Sequence, residues 1–309
     1  MRVAKTSYMN KSALNPSAHI AASEEQYSWQ IKINARFLEQ QQEERPIILL
    51  SGPSGSGKTT TAFRIREQLC EMGVKTHSMS MDNYFLSVND PRNELEPDGT
   101  IDFESPKRLD MDLMNEHLEK MWKCEEFHLP VFDFVNQKTL KGEKFRRNPD
   151  EMVVLEGIHA LNPAVTGSVA EHASGVYVSV RTRIEYAKDC YMHPSMIRLM
   201  RRLVRDKLFR NRKASETLDF FRKVQIGEIK YIKPYKWRAE LDVDTFLAYE
   251  AAAYKDFLIK ELEELRGQGL LNAYKALLEV LDQLNSVGLD DVPEDSLVRE
   301  FIGGSKFKY

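Results

Sequence analysis

The residues Gly52-Pro53-Ser54-Gly55-Ser56-Gly57-Lys58-Thr59 set two glycines five positions apart and put a lysine–threonine pair directly after the second. This is the Walker A spacing, G-x-x-x-x-G-K-[ST], and the chemistry it serves is the binding of a phosphate chain. Glycines let the backbone curl into a nest whose N–H groups converge on an anion. A helix starting near Lys58 would add its unpaired first-turn N–H groups and the positive end of its dipole. Lys58 would reach the β- and γ-phosphates, and the Thr59 hydroxyl would ligate Mg²⁺. Gly52, Ser54, Gly55, Ser56, Gly57, Lys58, Thr59 and Thr60 are therefore the candidate nucleotide-binding residues. A glycine-rich turn that matched by accident would not need a strand before it and a helix after it. Here the apolar run 46–50 precedes the motif, and Ala62, Ile65 and Leu69 follow at helical spacing.

Three further features bear on what happens to the phosphate. Asp82 ends a second strand-like run, 74–81, and would stand beside the glycine-rich loop if the two strands pair. A kinase acting on an alcohol needs such a carboxylate to take the hydroxyl proton; a turn or helix-capping aspartate is the alternative. Glu156 closes the apolar run 152–155 and fits an acid that holds Mg²⁺ through water, although acids at strand ends are common. The segment 198–212 carries Arg198, Arg201, Arg202, Arg205, Arg210 and Arg212 against one acid, Asp206. It reads as a lid helix whose arginines neutralise charge in a transition state, as a nucleic-acid-binding helix, or as a solvated basic face.

These residues must be positioned by the elements around them. Strand, helix and strand between residues 46 and 82 make a βαβ unit, which implies a parallel sheet with the loop and Asp82 at its carboxyl edge. Residues 85–106 are loop-like, with Asn89-Asp90-Pro91 and Pro97-Asp98-Gly99 as turn signals. Helical spacing over 109–122 is followed by a candidate hairpin of 129–135 and 138–145, and by short apolar strands at 152–155 and 176–180. The basic helix covers 197–212, the last strand 241–247, and helical segments 249–266 and 270–285. Their leucines, Leu270, Leu271, Leu277, Leu278 and Leu281, suit a core contact or a subunit interface. The fold class is α/β: a three-layer P-loop fold with a mainly parallel sheet, a small β-hairpin, an arginine lid helix and C-terminal helices. Its parts are an N-terminal tail and helix (1–45), a kinase domain (46–248) and a C-terminal helical extension packed on it (249–309).

Composition narrows the partners. A formal charge of −3 implies no polyelectrolyte partner for the whole chain, and 42% hydrophobic with 29% charged residues is a globular balance, not a disordered one. Cys70, Cys124 and Cys190 lie too far apart for a metal pattern or a disulfide framework, which favours a reducing, cytoplasmic compartment. No apolar run approaches the roughly 18 residues of a membrane helix. The first 22 residues lack acids and carry Arg2, Lys5 and Lys11 among serines and alanines; they read as a disordered lead-in, with a transit peptide as the alternative. A helix is expected from Ser23 to Gln42.

Six stretches, 52–60, Ser80 to Tyr84, Asp102 to Pro106, Leu129 to Phe134, Val154 to Ile158 and 201–212, resemble in order and spacing the uridine kinase and phosphoribulokinase family over about residues 46–248. The stretch 210–249 and the ending Leu297 to Gly304 are similar to a bacterial uridine kinase-like, or nucleoside kinase, branch. Many members of that branch carry a region similar to part of threonyl-tRNA synthetase, of which residues 1–45 show no sign. The resemblance implies ATP and Mg²⁺ as cofactors, with Asp82 as general base and Lys58, Thr59 and Glu156 on phosphate and metal. It implies Arg202 and Arg205 facing substrate and reacting phosphate, Arg210 and Arg212 as lid arginines, Phe103 beside the nucleoside, and Tyr84 among the substrate contacts. It further implies frequent oligomers, so a homo-oligomer is a possible state.

Against the uridine–cytidine kinases of that family, four positions differ. Glu104 stands in place of a ribose-binding aspartate, Phe132 in place of a tyrosine, Gln137 in place of a base-reading histidine, and Phe220 in place of a sugar-contacting glutamine. Glu104 still accepts from two hydroxyls, Phe132 keeps a stacking face, and Gln137 can donate and accept. The sequence thus points to ATP- and Mg²⁺-dependent phosphoryl transfer to a small hydroxyl acceptor, foremost the 5′-hydroxyl of a nucleoside. The alternatives are a kinase for a sugar, sugar phosphate or other small alcohol, and a nucleotide-dependent regulatory or RNA-associated protein. Neither membrane nor nucleic acid is an expected partner.

Overall fold

The computed structural model describes residues 2–96, 99–263, 265 and 274–308. At its centre five parallel strands lie in the order β10-β7-β2-β6-β3, formed by β2 (Ile47–Ser51), β3 (Thr76–Ser80), β6 (Met152–Glu156), β7 (Ala173–Ser179) and β10 (Leu241–Asp244). Alternate residues of these strands face opposite sides. Ile48, Leu50, Val154, Val176 and Val178 enter one core; Ile47, Leu49, Val153, Leu155 and Tyr177 enter another. Both faces are covered, which is why β2 and β6 read as unbroken apolar runs and not as alternating ones.

The first core is closed by α3 (Pro16–Gln40), α4 (Lys58–Glu71), α7 (Ser195–Arg210), α9 (Glu250–Glu263) and α10 (Lys275–Gln283); the second is closed mainly by α5 (Met111–Trp122). The hairpin β4 (Phe127–Asp133) and β5 (Lys138–Phe145) is antiparallel, and the short α6 (Pro163–Thr166) precedes β7. Behind α7, which ends at Asn211 in the left-handed region, comes α8 (Ala214–Gly227), an element the sequence reading did not place. The short α11 (Arg299–Ile302) packs on α7. Leu277 and Leu281 of α10 are buried and Leu278 partly so; Leu270, Leu271 and Pro97-Asp98 lie outside the described residues.

The disordered lead-in expected for residues 1–22 is corrected. Residues 3–5 form β1 (Val3–Lys5), which pairs in parallel with β8 (Arg183–Ala187) in a small sheet completed by β9 (Cys190–Met192). The turns α1 (Thr6–Met9) and α2 (Lys11–Leu14) follow, and α3 starts at Pro16, seven residues before the expected Ser23. Met9 and Ile20 are fully buried, and Thr6 bonds to Gln283 across the chain. These long-range contacts supply the order that local composition does not advertise.

Candidate active site

Register sets the site. Leu50 of β2 and Ser80 of β3 both stand opposite Glu156 of β6, so the three strands end level and their following loops emerge together. The glycine-rich loop leaves β2 and runs into α4, with Gly55 at φ +75° and Gly57 at φ +84°, a region open to glycine at little cost. A side chain at Gly52 is excluded for a different reason: its Cβ would lie 2.0 Å from the Val178 carbonyl oxygen.

The loop's carbonyls are tied from behind. Arg198 Nη1 donates to Ser54 O at 3.2 Å, Arg201 Nη1 to Gly55 O at 3.1 Å, and Thr245 Oγ1 to Ser56 O at 2.7 Å. Arg201 is 0% exposed and also holds Thr245 O and both oxygens of Glu250. In a nest, N–H groups and carbonyls point to opposite sides, so anchoring the carbonyls turns the N–H side toward a ligand.

In front of the loop opens a cleft of about 760 Å³. Of the sequence-predicted residues it brings together Ser54, Gly55, Gly57, Lys58, Thr59, Asp82, Phe103, Glu104, Phe132, Gln137, Glu156, Arg202, Arg205, Arg210 and Arg212. Gly52, Ser56 and Thr60 support the loop from outside the lining. Tyr84 is a correction: it is 1% exposed, its hydroxyl bonds to His117 Nδ1 at 3.0 Å, and it packs in the second core away from the cleft.

The charges in the cleft interact. Asp82 follows β3 in a 3₁₀ turn, Met81–Tyr84. The surrounding protein raises its carboxyl above the usual range, opposed by Lys58 and Arg210. Its surface is nevertheless open to cleft water. Glu156, 6% exposed, is pushed up to about 7 by burial, with Asp82 adding repulsion and Lys58 and a Ser80 hydrogen bond countering. Glu104 is likewise pushed to about 7 by burial against the pull of Arg202 and Lys58. Among the described residues its Oε2 has no hydrogen-bond partner, and neither has Arg202 Nε.

Asp206, noted only as the one acid of its run, and His159 were given no role from sequence. Asp206, 0% exposed, receives Arg205 at 3.1 Å, Arg210 at 3.3 Å, Arg212 at 3.7 Å and Arg202 at 3.9 Å, with Thr217 Oγ1 at 3.4 Å. The lone acid in a basic run is the signal that would have found it. His159, 2% exposed and lowered to about 4 by burial, bonds to the Glu104 backbone. The far wall is aromatic: Phe132 meets Phe85 and Phe134 edge-on at 5.8 and 5.1 Å, and Arg212 lies over Phe220 at 4.5 Å. Gln137, at φ +53°, donates its Nε2 to Phe134 O at 2.6 Å, which leaves the amide oxygen for another partner.

Residues 47–250 match the model of the phosphoribulokinase / uridine kinase family. The chain belongs to this family. It is 31% identical over 197 residues to the uridine kinase of Borrelia turicatae, which spans 63% of this chain and 84% of that protein. It is 28% identical over 208 residues to the uridine kinase of Lactobacillus johnsonii, spanning 65% and 88%. The three-layer P-loop fold is shared with a crystal structure described as a putative fructose transport system kinase from Silicibacter, at a TM-score of 0.51, 19% identity, and coverage of 69% of this chain and 98% of that one. The protein is thus a member of the P-loop kinases that transfer phosphoryl groups to small hydroxyl-bearing compounds.

The donor set of this family member fits Mg²⁺. The cleft's candidate ligands, Thr59 and Glu156, are both oxygen donors, as a hard cation requires. Among the described residues no three His, Cys, Asp or Glu side chains form a cage. Among those residues, too, no helix is long and apolar enough to cross a membrane.

Proposed function

We propose that the protein transfers the γ-phosphoryl group of ATP to the 5′-hydroxyl of a nucleoside. The observation that carries this reading is the lining of the cleft: the aromatic side chains of Phe103 and Phe132 and the amide of Gln137 share it with Asp82, Glu104 and Arg202. Aromatic faces stack on a planar base, and a carboxylate without a partner accepts from a pair of ribose hydroxyls. The similarity to uridine kinases supports the same acceptor class.

In this mechanism Lys58 and the nest N–H groups hold the phosphates, while Thr59 and, through water, Glu156 hold Mg²⁺. When bound, Mg²⁺ would supply neutralisation of the negative charge on the phosphates. Asp82 accepts the proton as the acceptor oxygen bonds to phosphorus and the bond to the ADP oxygen breaks. Its raised proton affinity suits that task. Arg205, Arg210 and Arg212, gathered on Asp206, stabilise charge on the transferring group. Phe103, Phe132 and Gln137 receive the base, and Glu104 and Arg202 orient the ribose.

The test is ADP release from Mg·ATP against nucleosides, sugars and small alcohols. A nucleoside well above background is the expected result, and activity confined to sugars or other alcohols would overturn the acceptor assignment while leaving phosphoryl transfer intact.

A further inference from the structure

The C-terminal segment reaches into the phosphate site. Leu297, 0% exposed, packs directly on Gly57, where an added Cβ would lie 2.2 Å from Leu297 Cδ1. Ser296 is held by Glu24 and Tyr249, and Phe301 is buried against the Arg201 guanidinium. Between these anchors Glu300 lines the cleft, and its Oε2 accepts from the Thr60 hydroxyl at 2.5 Å and the Thr60 N–H at 3.3 Å.

That N–H belongs to the first turn of α4, the positive end of the helix, at which a phosphate binds. Glu300 therefore presents a negative oxygen to a donor that a nucleotide phosphate also seeks, at the same positive end of the same helix. Two anions cannot share this N–H, and they repel each other within the cleft. The carboxylate is not a loose surface group, because the buried residues on both sides fix the backbone that carries it.

We infer that Glu300 is a determinant of donor affinity: it occupies the Thr60 donors when no nucleotide is bound and has to be displaced by the phosphate chain. This inference rests on the reading of residues 52–60 as the phosphate site. A contact that merely caps α4 would stabilise the helix and leave nucleotide affinity untouched or weakened. A displaced carboxylate opposes binding, so removing it tightens binding.

Isothermal titration with Mg·ADP separates the two, using the full chain, Glu300→Ala, Glu300→Gln and Lys58→Ala. Hydrogen bonds to a charged group are worth enough that Glu300→Ala should bind Mg·ADP about tenfold more tightly than the parent. Glu300→Gln, which keeps shape and an acceptor oxygen but not the charge, should fall between them. It also serves as the conservative variant should the alanine lower the melting temperature. Parent protein that binds Mg·ADP, with both Glu300 variants equal or weaker, would overturn the inference and leave the phosphate site standing. Parent protein that binds no Mg·ADP, like Lys58→Ala, would remove the phosphate site and the inference with it.

Discussion

Glu104 offers a perturbation whose sign and size follow from its surroundings. Its side chain is partly buried beside Gly227, where an added Cβ would come within 2.3 Å of the Glu104 Cβ. Burial raises its carboxyl from an ordinary 4.5 to about 7. The unfolded chain releases this proton near 4.5 and the folded chain near 7, so between those values the folded state binds more protons and stability falls as pH rises. At about 1.36 kcal/mol per pH unit, the charged carboxylate costs the fold up to about 3 kcal/mol above neutrality, less whatever cleft water screens. Glu104→Gln removes the titration and keeps the shape. Urea unfolding across a pH series should show the variant more stable by about 1–3 kcal/mol at pH 8, with the gain gone below the unfolded value. A difference that does not change with pH, or a less stable variant at pH 8, would refute the reasoning. The same charge should serve substrate binding: acceptor KM should fall as pH rises through 7 in the parent, and this dependence should disappear in Glu104→Gln.

Three further outcomes follow from the site. Asp82→Asn should keep Mg·ATP binding while turnover falls by about a hundredfold or more, measured by ADP release; near-normal turnover would remove Asp82 from the base role. Asp206→Asn takes the shared anchor from four arginines, so kcat should drop and thermal unfolding should reveal a loss of about 3 kcal/mol. Thr245→Val deletes the bond to Ser56 O and a partner of Arg201, and should weaken Mg·ADP severalfold in titration calorimetry at a stability cost of about 1–3 kcal/mol.

The parts of the site that sequence made legible are those whose chemistry is written in consecutive residues. The spacing from Gly52 to Thr59 forces one backbone shape, and the acids after 74–81 and 152–155 stand at strand ends that a parallel sheet brings level. Other parts depend on contacts far along the chain. Tyr84 sits two residues beyond Asp82, yet the 3₁₀ turn between them points one residue to the cleft and buries the other against His117. Residues 3–5 gain their partner, β8, from 180 residues away, so no local pattern shows the strand. Glu300 meets Thr60 across 240 residues, so nothing near it in the sequence shows its partner.

The basic helix shows why a charge run need not have a single purpose. All four arginines from 198 to 205 project from one side of α7: Arg198 and Arg201 reach the loop carbonyls of Ser54 and Gly55, while Arg202 and Arg205 line the cleft. The first pair ends on the carbonyls of Ser54 and Gly55 and is neutralised by Glu228 and Glu250. The second pair is gathered by Asp206 with Arg210 and Arg212, and all four of these arginines line the cleft. A buried cation has to be paired, so each pair needs acids of its own, and of Asp206, Glu228 and Glu250 only Asp206 lies within the run itself. The consequence is mechanical. α7 is at once the wall that shapes the glycine-rich loop and the carrier of the cleft arginines, so any shift of the helix moves the loop backbone and the positive charge of the cleft together.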